Sequence, residues 1–357
     1  MADQQPYQIA SYRVTELADE LGISKASVSE KLKAIEHGIE KSKTSNRITA
    51  VKPEAVQEYF ISRGCSYLYA KTVILAVQSC AGGLGKSSIS QGLMSQARRM
   101  KAQHKTIIDG KEISPAVVIL DYDSQSSTTS TLLGNPVDDS LPVLKHFLAN
   151  EASIDEILTP VGNETYVIGS NLQNLYLDKQ LNSVSAIKNA GMKLIADLDK
   201  KFGRGYVLIV DSPPALSAFN QSLVVAMSQL DPARYNTALL APIRALDRYG
   251  IKASEITITE AREILAAFNL PECRMVSFLT MYQRVGKTSV EVLKNVILSP
   301  ILKDTLLDLV VRHSHEFSKA NMSSRSIFDG KNTPATEDIS GLYLHILGYE
   351  KPIVGNA

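Results

Sequence analysis

The chain has 357 residues, of which 44% are hydrophobic and 21% charged, and its formal net charge is +1. That composition belongs to a soluble globular chain with a sizeable core, one large domain plus a smaller one, and it excludes an overall electrostatic pull toward nucleic acid or membrane. Cys65, Cys80 and Cys273 have no metal-ligand spacing, which argues for a reducing cytoplasm and against an iron–sulfur or zinc site.

At the N-terminus, MADQQPYQIA has neither the charged nor the apolar part of a signal peptide. Residues 12–36 place Val14, Leu17, Ala18 and Leu21, then Ile23, Val28 and Leu32, at helical spacing around Gly22, a helix-turn-helix pattern. Ser24 reads as the N-cap of the second helix, which exposes Lys25, Ser27, Ser29, Lys31 and Lys33. These hydroxyl and amine donors suit phosphates and base edges in a major groove, and the alternative is a helical adaptor that binds no DNA. Residues 40–51 are polar with a β-branched end and read as a wing, and Pro53 opens a helix that stops at Gly64.

The centre of the chain is Thr72–Val77, a buried-type strand that runs into Cys80-Ala81-Gly82-Gly83-Leu84-Gly85-Lys86-Ser87-Ser88 and then a helix to about Met100. A strand, a glycine-rich turn ending in Gly-Lys-Ser-Ser and a helix in register make a phosphate loop. The glycines let the backbone approach an anion, Lys86 reaches β and γ phosphates, and the Ser87 hydroxyl holds Mg²⁺. Arg98, Arg99 and Lys101 at the helix end read as solvated charge. The strand Ala116–Leu120 delivers Asp121-Tyr122-Asp123-Ser124-Gln125, followed by a helix near 126–133. Residues 134–160 read as loop with short helices, 165–178 as a strand and turn, and 184–201 as a helix with a solvated lysine face. Tyr206–Val210 ends in Asp211-Ser212-Pro213-Pro214, a Walker B type strand whose carboxylate holds a Mg²⁺-bound water or the Ser87 hydroxyl. Further strands are expected at Thr237–Ala241 and Met275–Thr280. Alternating strands and helices predict an α/β fold, a mostly parallel twisted sheet covered on both faces with ligand at the carboxyl ends of the strands.

The loop resembles the deviant Walker A loop of the ParA/MinD family, Lys-Gly-Gly-x-Gly-Lys-Thr/Ser, with Asp-x-Asp and Asp-x-Pro-Pro segments in the family's order. Cys80 stands where the common Walker A pattern has its first glycine, and Ala81 stands at the family's signature lysine, which crosses a sandwich dimer to the partner's phosphates. Two origins fit Ala81: a natural variant with weakened ATPase, or a Lys-to-Ala substitution in an otherwise standard loop. Carried over by position, the resemblance implies catalytic roles for Lys86 and Asp123 and a nucleotide cradle of Gly82 through Ser88 with Asp211. It places Ser87, Asp121 and Asp211 around Mg²⁺ and gives Thr280 and Met281 as adenine contacts. Residues 1–66 resemble the winged helix-turn-helix extension of plasmid-type ParA proteins, leaving 67–357 as the ATPase domain. Among the late basic residues, Lys287 and Arg325 are candidates for nonspecific DNA contact.

The resemblance implies a cytoplasmic, nucleoid-associated partition ATPase. ATP and Mg²⁺ would close a homodimer on nonspecific DNA, a ParB-like centromere-binding partner would trigger hydrolysis, and the N-terminal domain would bind operator DNA. Ala81 implies impaired turnover. The alternative is a nucleotide-binding repressor without useful turnover, and a metabolite kinase would need an acceptor lid that the sequence lacks. No run nears the roughly 20 apolar residues that span a bilayer, and 342–357 lack the basic amphipathic character of a membrane-binding helix, so no membrane partner is expected.

Overall fold

A computed structural model describes residues 11–21, 23–35, 37–52, 55, 56, 58, 59, 71–103, 106–108, 111–113, 115–134, 137–162, 164–215, 217–283, 287–329 and 333–347. The turn at Gly22, Pro53 and the helix stop at Gly64 lie outside them, as do residues 348–357 of the C-terminal stretch.

The first elements are helices α1 (Val14–Leu21) and α2 (Lys25–Leu32) and an antiparallel hairpin of β1 (Ile39–Lys41) and β2 (Ile48–Val51). Ser24 caps α2 by accepting a hydrogen bond from the Ser27 N–H, and Tyr12 pairs with Val51 to tie the chain's start to the hairpin. Leu17, Ala18, Val28, Leu32, Val51, Val56 and Tyr59 bury a small core of their own.

The remainder is built on β3 (Thr72–Val77), α3 (Lys86–Gln103), a hairpin of β4 (Thr106–Ile108) and β5 (Lys111–Ile113), β6 (Val117–Asp121) and α4 (Ser127–Leu133). After these come α5 (Leu144–Leu148), α6 (Ile154–Ile157), β7 (Leu158–Gly162), β8 (Thr165–Ile168), α7 (Leu177–Gln180), α8 (Val184–Phe202) and β9 (Val207–Asp211). The chain continues through α9 (Ala218–Gln229), β10 (Tyr235–Arg244), α10 (Arg248–Ala267), β11 (Met275–Tyr282), α11 (Lys287–Leu298), β12 (Leu306–Arg312), α12 (His315–Met322) and α13 (Pro334–Leu347).

Among the described residues the main sheet runs β12-β11-β10-β3-β9-β6-β8-β7, parallel throughout except for the edge strand β7. Each central strand is apolar along its whole length because both faces are covered. On β3, Ile74 and Ala76 face the core shared with α8, α9, α10 and α11, while Val73, Leu75 and Val77 face the core shared with α3 and α13. Parallel pairing of β3 with β9 and of β9 with β6 puts the phosphate loop, Asp211 and Asp121 at one edge of the sheet.

Four strands go beyond the sequence expectations, and all are poorly marked. The β7 strand contains Pro160 and Gly162, which a strand tolerates only at an edge; β12 is only partly buried and interrupted by Asp308; β4 and β5 are three residues each. The reading of Arg98 and Arg99 as solvated charge is corrected: they are 2% and 5% exposed. The Arg99 guanidinium lies 4.1 Å from the Tyr12 ring centroid and 4.5 Å from that of Phe328, and its Nη2 donates to Glu16 Oε2 at 3.3 Å. A residue at the far end of the phosphate-loop helix therefore anchors the N-terminal helices to the sheet domain.

Removing one member of a buried ion pair leaves the other charge uncompensated. Arg99→Ala should lower unfolding free energy by about 3 kcal/mol, read in urea denaturation, and should expose the N-terminal elements to limited proteolysis.

Candidate functional site

Cys80 to Ser88 sits at the carboxyl end of β3, and its two halves differ. Gly82 and Gly83 are exposed, while Ala81, Leu84 and Lys86 are buried. Gly83 and Gly85 hold φ of +70° and +81°, the left-handed region that a side chain disfavours, so the turn needs glycine at both positions. The Cys80 N–H donates to Thr257 Oγ1 at 3.2 Å and the Cys80 thiol to Ala253 O at 3.4 Å, fastening the loop to α10. The Ala81 methyl packs with Leu84 and Ala253 in a small apolar contact.

Lys86 opens α3 and its Nζ donates to Ala81 O at 2.8 Å, folding the ammonium back over the loop. Burial lowers its pKa, and Asp211 and Asp123 nearby oppose that shift. Asp121 and Asp211 are register partners on β6 and β9, 0% and 1% exposed. Asp211 accepts from Thr128 Oγ1 at 2.7 Å, from Ser90 Oγ at 3.3 Å and from the Ser87 hydroxyl. Burial pushes its pKa up, against the pull of these donors and of Lys86. Asp121 Oδ2 accepts from the Thr129 N–H at 2.8 Å and its hydroxyl at 2.7 Å, and Oδ1 accepts from the Asp123 N–H at 3.1 Å. Burial and the neighbouring Asp211 push Asp121 up to about 8.

Asp123 is half-buried and bends the segment into a tight turn, with Oδ1 accepting from the Gln125 N–H at 3.0 Å. Ser126, at the end of that turn, is left-handed with φ of +53°. Two negative groups buried together with one lysine form a donor set short of positive charge. The Ser87 hydroxyl and Asp211 suit Mg²⁺, which takes one or two protein oxygens and completes its shell with water and phosphate. Among the described residues no group of three or more His, Cys, Asp or Glu forms a closed metal cage.

Lys86, Ser87, Asp121, Asp123 and Asp211 thus converge. Thr280 and Met281 reach the same loop from β11: Thr280 Oγ1 donates to Leu84 O at 3.1 Å, and the Met281 methyl lies 3.6 Å from the position a Cβ on Gly85 would take. Met281 itself is left-handed at φ +54°. Ser24, Lys25, Ser27, Ser29 and Lys31 lie away from the loop on or beside α2, with both lysines exposed and the Ser24 hydroxyl occupied as a cap. Lys287 and Arg325 are exposed on separate elements, the first residue of α11 and the segment after α12.

Sequence reasoning missed Thr128, Thr129 and Ser90, which hold the two buried carboxylates. The signal was present as Ser126-Ser127-Thr128-Thr129-Ser130-Thr131, a run of poor helix formers placed in a helix directly after an Asp-x-Asp turn. Arg244, beside the loop, was also missed.

Because Asp121 is raised, the folded chain holds more protons than the unfolded chain between about pH 4 and 8. Stability without nucleotide or Mg²⁺ should be full below that window and fall as pH rises toward 8. Asp121→Asn should flatten the fall, measured as the urea midpoint against pH.

No protein-family model matches the chain, and neither does any curated protein. Solved structures do. Apo McdA of Cyanothece is 19% identical, covering 78% of this chain and 99% of its own at a TM-score of 0.60. A putative plasmid partition protein of Borrelia burgdorferi bound to AMPPNP is 14% identical over 78% and 98%, with a TM-score of 0.56. Cobyrinic acid a,c-diamide synthase of Mycobacterium smegmatis with an ATP analog and magnesium is 18% identical over 79% and 98%, at 0.58. These neighbours include both partition proteins and a synthase, so activity has to be argued from the site. The main sheet, its phosphate loop and its flanking helices give this chain a P-loop NTPase fold, the fold it shares with these structures.

Proposed function

We propose that this chain is a partition-type ATPase that uses ATP and Mg²⁺ to switch between DNA-bound and free states. The observation that carries the reading is the buried set of Lys86, Asp211 and Asp121 at the mouth of a glycine-rich loop whose Gly82 and Gly83 stay open. In this reading the loop N–H groups from Gly82 to Ser88 cradle the phosphates, and Lys86 leaves Ala81 O for a phosphate oxygen. Ser87 and Asp211 hold Mg²⁺, with Asp121 behind them, and Asp123 orients the attacking water. Mg²⁺, when bound, would neutralise charge on the phosphates. Thr280 and Met281, which reach the loop from β11, would border the base.

Residues 1–66 would form a winged helix-turn-helix operator-binding domain, with Lys25, Ser27, Ser29 and Lys31 toward DNA, and 67–357 the ATPase domain. A homodimer supplies two operator half-sites and, with ATP, a sandwich whose surface, including Lys287 and Arg325, meets nonspecific DNA. A ParB-like centromere-binding partner would stimulate hydrolysis and release the nucleoid-bound dimer. The neighbouring structures bound to ATP or its analogs, one with magnesium and one from a putative plasmid partition protein, support this cofactor choice and this class.

One observation favours a second reading, a nucleotide-binding repressor without useful turnover. Position 81 carries a buried methyl in place of a cation, so dimer closure and hydrolysis both lose a charge-assisted contact.

The test is ATP turnover by this chain, Lys86→Ala and Ala81→Lys, with and without nonspecific duplex DNA and the ParB-like partner. Lys86→Ala should lose nucleotide binding, and Ala81→Lys should raise stimulated turnover by about 10-fold or more. If neither this chain nor Ala81→Lys hydrolyses ATP while both bind nucleotide and operator DNA, the repressor reading replaces the motor.

A further inference from the structure

We propose that Arg244 is a phosphate-contacting residue of the loop, supplying from within the same chain a cation that position 81 lacks. The inference rests on the nucleotide-binding reading above and names a residue that neither the loop motif nor its resemblance marks.

Arg244 is the last residue of β10, the strand hydrogen-bonded to β3 on the side away from β9. Its side chain therefore leaves the sheet at the edge from which the loop rises. Its Nη1 lies 3.5 Å from Gly83 O and 3.2 Å from the point a Cβ on Gly83 would occupy, so the guanidinium rests on the exposed, glycine-only part of the turn. An alanine at position 83 would press on this arginine as well as strain the backbone.

The guanidinium is held in place. Nη2 donates to Asp247 Oδ2 at 2.6 Å, and Asp247 is itself fixed as the N-cap of α10, its Oδ1 accepting from the Gly250 N–H at 3.1 Å. Gly250 brings the start of α10 against the strand end so closely that a Cβ there would meet Arg244 N and O at 2.8 Å. The arginine is thus anchored from behind, with the side chain 24% exposed at the loop.

Two features point to an anion as the missing partner. The Arg244 Nε–H is buried and has no acceptor, a cost that an oxygen ligand would remove. The charge around the loop is also unbalanced, since Asp211 and Asp123 act on one buried lysine, Asp121 lies beside Asp211, and a triphosphate adds further negative charge. A planar guanidinium beside the open glycines can offer paired N–H donors to a terminal phosphate, which a loop-anchoring role alone does not require.

The experiment is calorimetric titration of Mg²⁺ with AMP-PNP and, separately, Mg²⁺ with ADP into the full chain, Arg244→Ala, Arg244→Lys and Lys86→Ala, each checked for folding by urea denaturation. Arg244→Gln carries the comparison if Arg244→Ala does not fold. The expected result is a loss of about 10-fold or more in AMP-PNP affinity for Arg244→Ala, a change of under about 3-fold for ADP, and partial recovery in Arg244→Lys. Equal losses for both nucleotides would reduce Arg244 to an anchor of the loop, and unchanged AMP-PNP affinity would remove it from the site; either result overturns the assignment alone. A parent chain that binds neither nucleotide overturns the nucleotide reading and this assignment with it.

Discussion

Asp121 and Asp211 end adjacent, fully buried strands side by side, and Lys86 is the buried cation near Asp211. Burial pushes both carboxylates toward the protonated form, and for Asp121 the neighbouring Asp211 adds to it. The threonines and serines of α3 and α4 are arranged around that problem. Thr128, Thr129, Ser87 and Ser90 give the carboxylates donors and leave the cavity short of positive charge. A phosphate-bound divalent cation is the ligand chemistry that such a cavity accommodates.

The loop above this pair is held by three neighbouring elements. The α10 helix takes Cys80 through Thr257 and Ala253, β11 takes Leu84 through Thr280, and β10 sends Arg244 to Gly83. Strand order explains this, because β3 lies between β10 and β9 and its carboxyl end is flanked on both sides. Left-handed Met281 and Ser126 mark where the flanking segments bend toward the loop, the kind of local strain that persists only where surrounding structure over-determines it.

The helix that begins with Lys86 ends near Arg99, which is packed between Tyr12 and Phe328 and bonded to Glu16. One rigid element therefore has the phosphate site at its N-terminus and the N-terminal helices near its C-terminus.

Much of the fold and half of the site were legible in the sequence. Residues 72–77, 117–121 and 207–211 declare themselves as strands because, covered on both faces, they are apolar at every position but Thr72, Asp121 and Asp211, and Gly-Gly-x-Gly-Lys-Ser-Ser declares a phosphate loop because Gly83 and Gly85 take left-handed φ that other residues disfavour. Edge strands did not declare themselves, since β7 and β12 bury too little to need an apolar run. Arg98 and Arg99 read as solvent-facing because charge at a helix end usually is, and only the docking of Tyr12, Glu16 and Phe328 turned Arg99 inward. What the sequence by itself determined was the chemistry carried by contiguous residues, from Cys80 to Ser88 and at Asp121, Asp123 and Asp211. Tertiary structure alone decided that Thr128 and Thr129 meet the two carboxylates and that Arg244 meets Gly83, 161 positions away, because parallel strands gather their carboxyl ends at one edge whatever their separation along the chain.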